Sequence, residues 1–219
     1  MIIAIDGPAG AGKSSTAKGA AARLGATYLD TGAMYRAVTL KALRLGVAHT
    51  DDAALEGIMR GTSIAFEGSP PDTRVIMDGE DVSAAVRSDE VTKRVSDYCA
   101  RGVVRRSLVD QQRKIAAGRT VVCEGRDIGT VVFPGAELKI FMSATAEERA
   151  RRRQKDFAAM GVEKPIGELI KDIEARDLKD STRANSPLVK ADGAIEMDTT
   201  GMTLEDQIMF IVEKAKNLI

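Results

Sequence analysis

Short apolar runs alternate with longer amphipathic segments along most of the chain. The first run, Ile2 to Ile5, is continuous and ends at Asp6 and a glycine-rich turn, which is typical of a strand buried on both faces of a parallel sheet. Similar runs predict strands at 27–29, 120–123, 138–142 and 194–197. Apolar residues at helical spacing predict helices at 13–24, 33–45, 51–60, 88–100, 103–117, 166–181 and 203–218, and a charged helix from 145 to a break at 161–165. This alternation favours an α/β fold of three layers, in which a parallel five-stranded central sheet is covered by helices on both faces.

One stretch, about 62–82, departs from this alternation. It contains Gly68-Ser69-Pro70-Pro71 and Asp78-Gly79, between strand-like runs at 64–66 and 74–77. An Asp-Gly pair between such runs is a hairpin signal. We therefore predict a small β-rich insertion within a single domain that covers residues 1–219.

Composition and charge exclude several classes of protein. The 219 residues include 32 Lys plus Arg and 32 Asp plus Glu, so the formal net charge is zero. General binding to nucleic acid or to an anionic membrane needs a basic excess, so we expect neither partner. His49 is the only histidine, which excludes a histidine-based metal site and a Ser/His/Asp triad. Cys99 and Cys123 are too few for a disulfide framework and are expected to be structural thiols.

The chain also lacks the signals of membrane insertion and export. No run approaches the ~20 apolar residues that a membrane span needs. The first apolar run is short and is not preceded by basic residues, so it does not resemble a signal peptide. These features predict a cytoplasmic protein.

A phosphate-binding loop follows the first predicted strand. The sequence Gly7-Pro8-Ala9-Gly10-Ala11-Gly12-Lys13-Ser14 matches G-x-x-x-x-G-K-[ST] at every fixed position, and a predicted helix follows it. Glycines let backbone N–H groups approach phosphate oxygens, and the helix adds its positive N-terminal end. We expect Lys13 to reach the β- and γ-phosphates of ATP and the hydroxyl of Ser14 to ligate Mg²⁺. The predicted ATP-binding residues are Gly7, Pro8, Ala9, Gly10, Ala11, Gly12, Lys13, Ser14 and Ser15.

Two other strand ends carry an arginine and a carboxylate each. Asp30-Thr31-Gly32 follows one predicted strand, with Tyr35 and Arg36 one helical turn later, and Gly125-Arg126-Asp127 follows another. Ligands of open α/β sheets bind beyond the carboxyl ends of the strands, so both clusters are expected to face the phosphate loop. Together they suit an anionic acceptor that carries a polar base or sugar. The alternative is that both arginines form ordinary surface ion pairs.

A third cluster lies on one predicted helix. Arg176, Asp180 and Arg183 are spaced by four and then three residues, which places them on one helix face. Spacing alone favours a solvated ion pair worth a few tenths of a kcal/mol.

Two other classes of P-loop protein fit this sequence poorly. A GTPase needs a guanine-reading N-K-x-D sequence, which the chain lacks. A motor ATPase usually has an apolar strand that ends in Asp or Asp-Glu, whereas the strand at 120–123 ends in Glu-Gly-Arg-Asp. The paired arginines disfavour a nucleotide-binding regulatory module without turnover. A kinase with a small anionic acceptor is the remaining interpretation.

Four segments together resemble the bacterial cytidylate kinases, which belong to the nucleoside monophosphate kinase family. They are Gly7 to Lys13, Asp30 to Arg36, Glu124 to Pro134, and Arg176 to Arg183 followed by Ser186-Pro187-Leu188. Many families share the phosphate loop, but the run from 125 to 134 is far more specific. The resemblance extends almost end to end and includes the insertion, since these kinases enlarge the monophosphate-binding region there. Thr31 stands where serine is frequent and Ser14 where glycine is common, and both supply a hydroxyl.

The resemblance implies that the chain is a monomer that transfers the γ-phosphoryl of ATP to CMP or dCMP with Mg²⁺, for pyrimidine nucleotide metabolism. Other acceptors, namely UMP, AMP or a sugar acid, remain the alternative. It implies a monophosphate-binding region at about 31–100 and a helical lid at about 149–166. The implied catalytic residues are Lys13, Arg126, Arg149 and Arg153. The implied acceptor site has Thr31, Tyr35, Arg36, Arg126 and Arg183 around the phosphate, Ser96, Arg105 and Asp127 at the cytosine, and Arg176 and Asp180 at the sugar.

Overall fold

The computed structural model of the chain describes residues 1–70, 72–159 and 161–218. Pro71 of the predicted insertion, Met160 of the predicted lid and the last residue, Ile219, lie outside the described residues. The strands, in chain order, are β1 (Ile2–Asp6), β2 (Thr27–Asp30), β3 (Ile64–Glu67), β4 (Arg74–Met77), β5 (Glu80–Asp81), β6 (Val121–Gly125), β7 (Leu138–Ser143) and β8 (Ile195–Asp198). Over the described residues they form a central parallel sheet of five strands, in the order β2-β6-β1-β7-β8, and a separate antiparallel sheet of β3, β4 and β5. The predicted fold class is confirmed.

The first apolar run forms the centre of the main sheet. β1 pairs with β6 on one side, where Ile3 lies opposite Val122, and with β7 on the other. Alternate side chains of β1 point to opposite faces, so Ala4 packs in one hydrophobic core and Ile3 and Ile5 pack in the other. Burial on both faces explains why this segment has no polar alternation.

Helices cover both faces of the sheet. They are α1 (Lys13–Leu24), α2 (Thr31–Arg44), α3 (Asp52–Arg60), α4 (Asp89–Cys99), α5 (Gly102–Ala116), α6 (Ala146–Ala159), α7 (Ile166–Thr182) and α8 (Leu204–Lys216). Residues of α1 and α8 build the core on one face, and residues of α2, α3, α4 and α5 build the core on the other. None of the helices in the described part of the chain is long and apolar enough to cross a membrane.

Helix α2 begins at the edge of the sheet where the predicted site lies. The side chain of Asp30, the last residue of β2, accepts a hydrogen bond of 2.8 Å from the backbone N–H of Ala33. This N-cap starts the helix at Thr31, two residues earlier than the apolar spacing predicted. The chain therefore passes from strand to helix without a loop, and Thr31 is held at the end of the strand.

The β-rich insertion is a short antiparallel sheet that is fastened to α2. Asp78 and Gly79 both have positive φ, 53° and 86°, as the hairpin turn between β4 and β5 requires. The Asp78 carboxylate also accepts a hydrogen bond of 2.6 Å from Lys41. Glu80 forms a two-point ion pair with Arg44 at 2.7 and 2.9 Å. Both contacts join the insertion to the same helix that carries the predicted acceptor residues.

Packing of α1 on α8 makes Gly19 sensitive to substitution. A β-carbon at Gly19 would lie 2.2 Å from Cδ1 and 2.7 Å from Cγ1 of Ile208. Overpacking of this kind costs ~1–3 kcal/mol, which exceeds the gain of ~1 kcal/mol in helix propensity. We therefore expect Gly19→Ala to lower the free energy of unfolding by about 1 kcal/mol, measured by urea denaturation.

Gly57→Ala in α3 is the matched control for this prediction. A β-carbon there would meet no heavy atom within 4 Å, so the substitution should raise the free energy of unfolding by up to ~1 kcal/mol. Equal changes in the two variants would contradict the close approach of α1 and α8.

Candidate active site

One large cavity opens at the carboxyl ends of the central strands. Its volume is about 680 Å³, which is within the usual range for small-molecule sites. It is lined by residues of the phosphate loop, the ends of β2 and β6, and helices α2 and α4 to α8. The predicted site residues that line it are Ala9, Gly10, Gly12, Lys13, Ser14, Ser15, Thr31, Tyr35, Arg36, Ser96, Arg105, Arg126, Asp127, Arg153, Arg176, Asp180 and Arg183. The structure thus brings together segments that are more than 150 residues apart in sequence.

The phosphate loop has the backbone that its glycines allow. Gly10 and Gly12 have φ of 79° and 93°, which is the left-handed region. At Gly7 a β-carbon would lie only 2.1 Å from the backbone oxygen of Met142, so no other residue fits between the loop and β7. The ammonium of Lys13 donates a hydrogen bond of 2.7 Å to the backbone oxygen of Pro8. This contact folds the lysine side chain back onto its own loop.

Glu124 is a site residue that the sequence analysis missed. Its carboxylate accepts hydrogen bonds from the hydroxyl of Ser14 at 2.6 Å and from the hydroxyl of Tyr28 at 3.2 Å. Its backbone oxygen accepts a third, of 2.8 Å, from the hydroxyl of Thr31. The sequence did place Glu124 directly after the apolar run at 121–123. Its role could not be inferred without the strand order, in which β6 is the neighbour of β1.

Asp6, at the end of β1, was also missed. Its two carboxylate oxygens accept hydrogen bonds from the backbone N–H groups of Ile128, at 2.8 Å, and Gly129, at 2.7 Å. Burial nevertheless raises the pKa of Asp6 to about 6, because the loss of hydration outweighs these two bonds. The contacts fix the turn that follows β6, and therefore the position of Asp127.

Burial shifts the charges at the phosphate loop toward neutrality. The pKa of Lys13 is lowered to about 7, first by burial and then by repulsion from Arg126. Burial and the nearby charge of Asp30 raise the pKa of Glu124. A phosphate chain beside Lys13 would favour its ammonium form again. The binding of a negatively charged group at the loop is therefore expected to restore the charge of Lys13.

The predicted acceptor side contains more buried positive charge than its carboxylates balance. Arg126 donates a hydrogen bond of 2.9 Å to Asp180, and Arg183 lies 4.0 Å from the same carboxylate. Burial, and next repulsion from Arg126 and Arg36, lower the pKa of Arg176 to about 10. Among the described residues, Nε of Arg176 and Nη2 of Arg183 are buried without a hydrogen-bond partner. Buried donors of this kind indicate an anionic ligand.

A polar pocket lies next to this cation cluster. The guanidinium of Arg105 donates a hydrogen bond to the carboxylate of Asp127, and both side chains are buried. The same guanidinium lies 5.3 Å from the centre of the Tyr35 ring and donates 3.2 Å to the backbone oxygen of Cys99. Ser96 lines the cavity nearby. A carboxylate and an arginine side by side can pair with complementary donors and acceptors on one edge of a base.

The predicted lid arginines differ in their surroundings. Arg149 is buried and donates to the backbone oxygens of Ala9 and Ala144, each at 3.1 Å, and to Asp177. Arg152 donates to the backbone oxygen of Thr199 at 2.6 Å. Arg153 lines the cavity. The catalytic roles of Arg149 and Arg153 stay predictions, and of the two it is Arg153 that faces the open cavity.

The geometry agrees with the comparison with known proteins. The sequence model of the family Cytidylate kinase matches residues 3–217. The chain belongs to the cytidylate kinase family. It is 50% identical over 214 residues to the cytidylate kinase of Lysinibacillus sphaericus, covering 98% of this chain and 96% of that one. It is 46% identical over 219 residues to the cytidylate kinase of Halalkalibacterium halodurans, covering 100% and 99%.

A solved structure shares the fold. The crystal structure of an uncharacterized protein from Eubacterium ventriosum aligns with a TM-score of 0.54 and 12% sequence identity, over 99% of this chain and 98% of that chain. At this identity the likeness concerns the fold alone, and the family assignment depends on the sequence match.

The lowered pKa of Lys13 predicts that ATP binding takes up a proton. At pH 8 a lysine with a pKa of about 7 is mostly neutral, and contact with phosphates should return it to the ammonium form. We expect net proton uptake on ATP binding, of at most one proton from Lys13, measured by titration calorimetry in two buffers with different ionisation enthalpies. Lys13→Arg keeps a permanent cation and should bind ATP with little uptake. Equal uptake in this variant, or none in the wild type, would contradict the prediction.

Proposed function

We propose that the protein transfers the γ-phosphoryl of ATP to CMP or dCMP, giving ADP and CDP or dCDP. The observation that carries this proposal is the group of buried, incompletely paired arginines beside a P-loop, next to the Asp127–Arg105 pair. The arginines fit an acceptor phosphate group in line with the γ-phosphate of ATP. The Asp127–Arg105 pair fits a cytosine ring. Membership in the cytidylate kinase family supports the same reaction.

The phosphate loop and Lys13 bind ATP in this proposal. The loop presents backbone N–H groups, and Lys13 leaves the backbone oxygen of Pro8 to contact the β- and γ-phosphates. Magnesium fits the oxygen ligands present here, because the Ser14 hydroxyl and the Glu124 carboxylate lie 2.6 Å apart at the end of the loop. These two residues would hold the ion, directly or through water. The ion would neutralise charge on the phosphates when bound.

The arginine cluster binds the acceptor phosphate. Arg36, Arg126 and Arg183 supply the charge, and Thr31 and Tyr35 supply hydroxyls. The hydroxyl of Tyr35 is buried and has no hydrogen-bond partner among the described residues, so it is available to a ligand. A nucleoside monophosphate is already ionised near neutral pH, so the attacking oxygen needs no general base. Positioning and charge neutralisation then account for catalysis.

The base and sugar occupy the remainder of the acceptor pocket. Asp127 accepts from the exocyclic amine of cytosine, whereas Arg105 and Ser96 donate to the O2 and N3 edge. Arg176 and Asp180 contact the sugar. A uracil ring presents O4 where cytosine has its amine, so the Asp127 carboxylate would repel it.

The larger organisation follows from these assignments. The monophosphate-binding region spans about 31–100, and the lid at about 149–166 brings Arg149 and Arg153 toward the phosphates. Closure excludes water, which would otherwise hydrolyse ATP. The protein acts as a cytoplasmic monomer in pyrimidine nucleotide metabolism.

An acceptor panel tests the proposed function. ADP release is measured with ATP and Mg²⁺ in the presence of CMP, dCMP, UMP, AMP or a sugar acid. We expect CMP or dCMP to stimulate release most strongly, and Lys13→Met to reduce turnover at least about 100-fold because it removes one strong electrostatic stabiliser. ATP binding with no acceptor-dependent release would refute the proposal, and preference for another acceptor would correct the substrate.

Substitution of Asp127 tests the base contact. Asp127→Asn keeps the size of the side chain but removes its charge, and its amide can donate to O4 of uracil. We expect kcat/KM for CMP to fall roughly 100-fold and the preference for CMP over UMP to fall at least about tenfold, with KM for ATP within about twofold of wild type.

Asp172→Asn, an exposed aspartate on α7, is the control for this experiment and should behave as wild type. An unchanged CMP to UMP ratio in Asp127→Asn would remove Asp127 from base recognition.

A further inference from the structure

Ser186 has an unusual backbone conformation beside the acceptor pocket. It follows α7 in the connection to β8, and its φ is 52°. Among the described residues only Asp78 and Ser186 have positive φ without being glycine. Asp78 occupies a hairpin turn that requires this conformation, whereas Ser186 is in no hairpin. A serine in the left-handed region is uncommon, and such strain persists where surrounding contacts maintain it.

The contacts of Ser186 join two arginines of the acceptor site. Its hydroxyl accepts a hydrogen bond of 3.2 Å from Nε of Arg105. Its backbone oxygen accepts one of 2.6 Å from Nε of Arg183. The left-handed backbone turns the hydroxyl and the backbone oxygen of one residue toward two guanidinium groups from different parts of the chain.

These contacts engage Nε of each arginine and leave the terminal nitrogens to face other groups. With Nε bound to Ser186, Arg105 reaches Asp127 and the backbone oxygen of Cys99 through its terminal nitrogens. Arg183 keeps Nη2 buried and without a hydrogen-bond partner among the described residues, at the wall of the cavity. Each arginine is therefore oriented by Ser186 and presents its other end to the pocket.

The two cations also repel each other in this pocket, which favours a contact that holds both. Burial, and next the charge of Arg105, lower the pKa of Arg183. Two like charges in a buried pocket would otherwise move apart or toward solvent. The segment that carries Ser186 is itself fixed, because Leu188 N–H donates 2.8 Å to the backbone oxygen of Asp180 and Asn185 donates 3.3 Å to that of Ala100.

We propose that Ser186 is a positioning residue whose hydroxyl and backbone oxygen set the orientation of Arg105 and Arg183, and thereby the affinity for the nucleoside monophosphate. The inference rests on the proposed function, since both arginines belong to the acceptor site. It assigns Ser186 a role on the acceptor side of the reaction and none in ATP binding.

Two substitutions distinguish the effect of losing the hydroxyl from the effect of backbone strain at Ser186. Ser186→Gly removes the hydroxyl and relieves the strain of positive φ, whereas Ser186→Ala removes the hydroxyl and keeps the strain. We expect both variants to raise KM for CMP roughly tenfold and to leave KM for ATP within about twofold of wild type. In Ser186→Gly the relieved strain offsets the lost hydrogen bond, so its Tm should stay close to that of wild type and the loss of affinity cannot come from unfolding. Ser181→Ala, on the exposed face of α7, is the control and should leave all three values unchanged.

The outcomes distinguish this inference from the proposed function. If wild type turns over CMP and Ser186→Gly has the wild-type KM for CMP, the positioning role is overturned and the function stands. If only backbone strain mattered, KM for CMP would rise in Ser186→Ala and not in Ser186→Gly, and this result would also overturn the positioning role. If wild type releases no ADP with CMP, the proposed function fails and this inference fails with it. Equal increases of KM for CMP and ATP would show a general structural effect and would likewise overturn it.

Discussion

The site depends on burying positive charge that the protein does not fully neutralise. Lys13, Arg36, Arg126, Arg176 and Arg183 meet in one cavity. Burial lowers the pKa of Lys13, Arg36, Arg176 and Arg183. Taking a cation out of water without a full set of partners is unfavourable. The hydrophobic cores on both faces of the sheet supply the stability that tolerates this cost. In the proposed function, phosphate groups would complete the pairing of these cations, so the unfavourable burial of charge would favour a polyanionic ligand.

Strand order converts distant segments into a single site. Because β6 lies between β1 and β2, the phosphate loop after β1 is adjacent to Glu124 at the end of β6, and Thr31 at the start of α2 is bound to the backbone of Glu124. The carboxyl ends of parallel strands open on one side of the sheet, and a ligand there touches loops from several connections. Asp6 strengthens this arrangement by holding the turn that carries Asp127. The same sheet edge therefore fixes the ATP side and the acceptor side relative to each other.

The sequence predicted what local chemistry dictates and missed what depends on strand order. Continuous apolar runs predicted the central strands, because a strand that is buried on both faces needs apolar residues at every position. The fixed glycines predicted the phosphate loop, because its positive φ values favour glycine. The first two residues of α2 were missed, since the start of this helix depends on the Asp30 cap rather than on apolar spacing. Glu124 and Asp6 were missed because their roles arise only when β6 and β1 become neighbours. The sequence could not distinguish the roles of Arg149 and Arg153, because both lie in a charged helical segment. In the structure Arg149 contacts the phosphate loop, whereas Arg153 lines the cavity.

Electrostatics also couples the two halves of the cavity. Arg126, on the acceptor side, is the charged group that contributes most to lowering the pKa of Lys13 on the ATP side. A phosphate bound at Arg126 would screen that repulsion, so it would favour the ammonium form of Lys13 and strengthen contact with ATP. Linkage requires the reverse effect as well, and ATP bound at Lys13 would favour the acceptor by the same free energy. Either ligand alone would leave part of the cation cluster unpaired. With this coupling, the charges that stabilise the transition state would therefore be fully paired only when both substrates are bound.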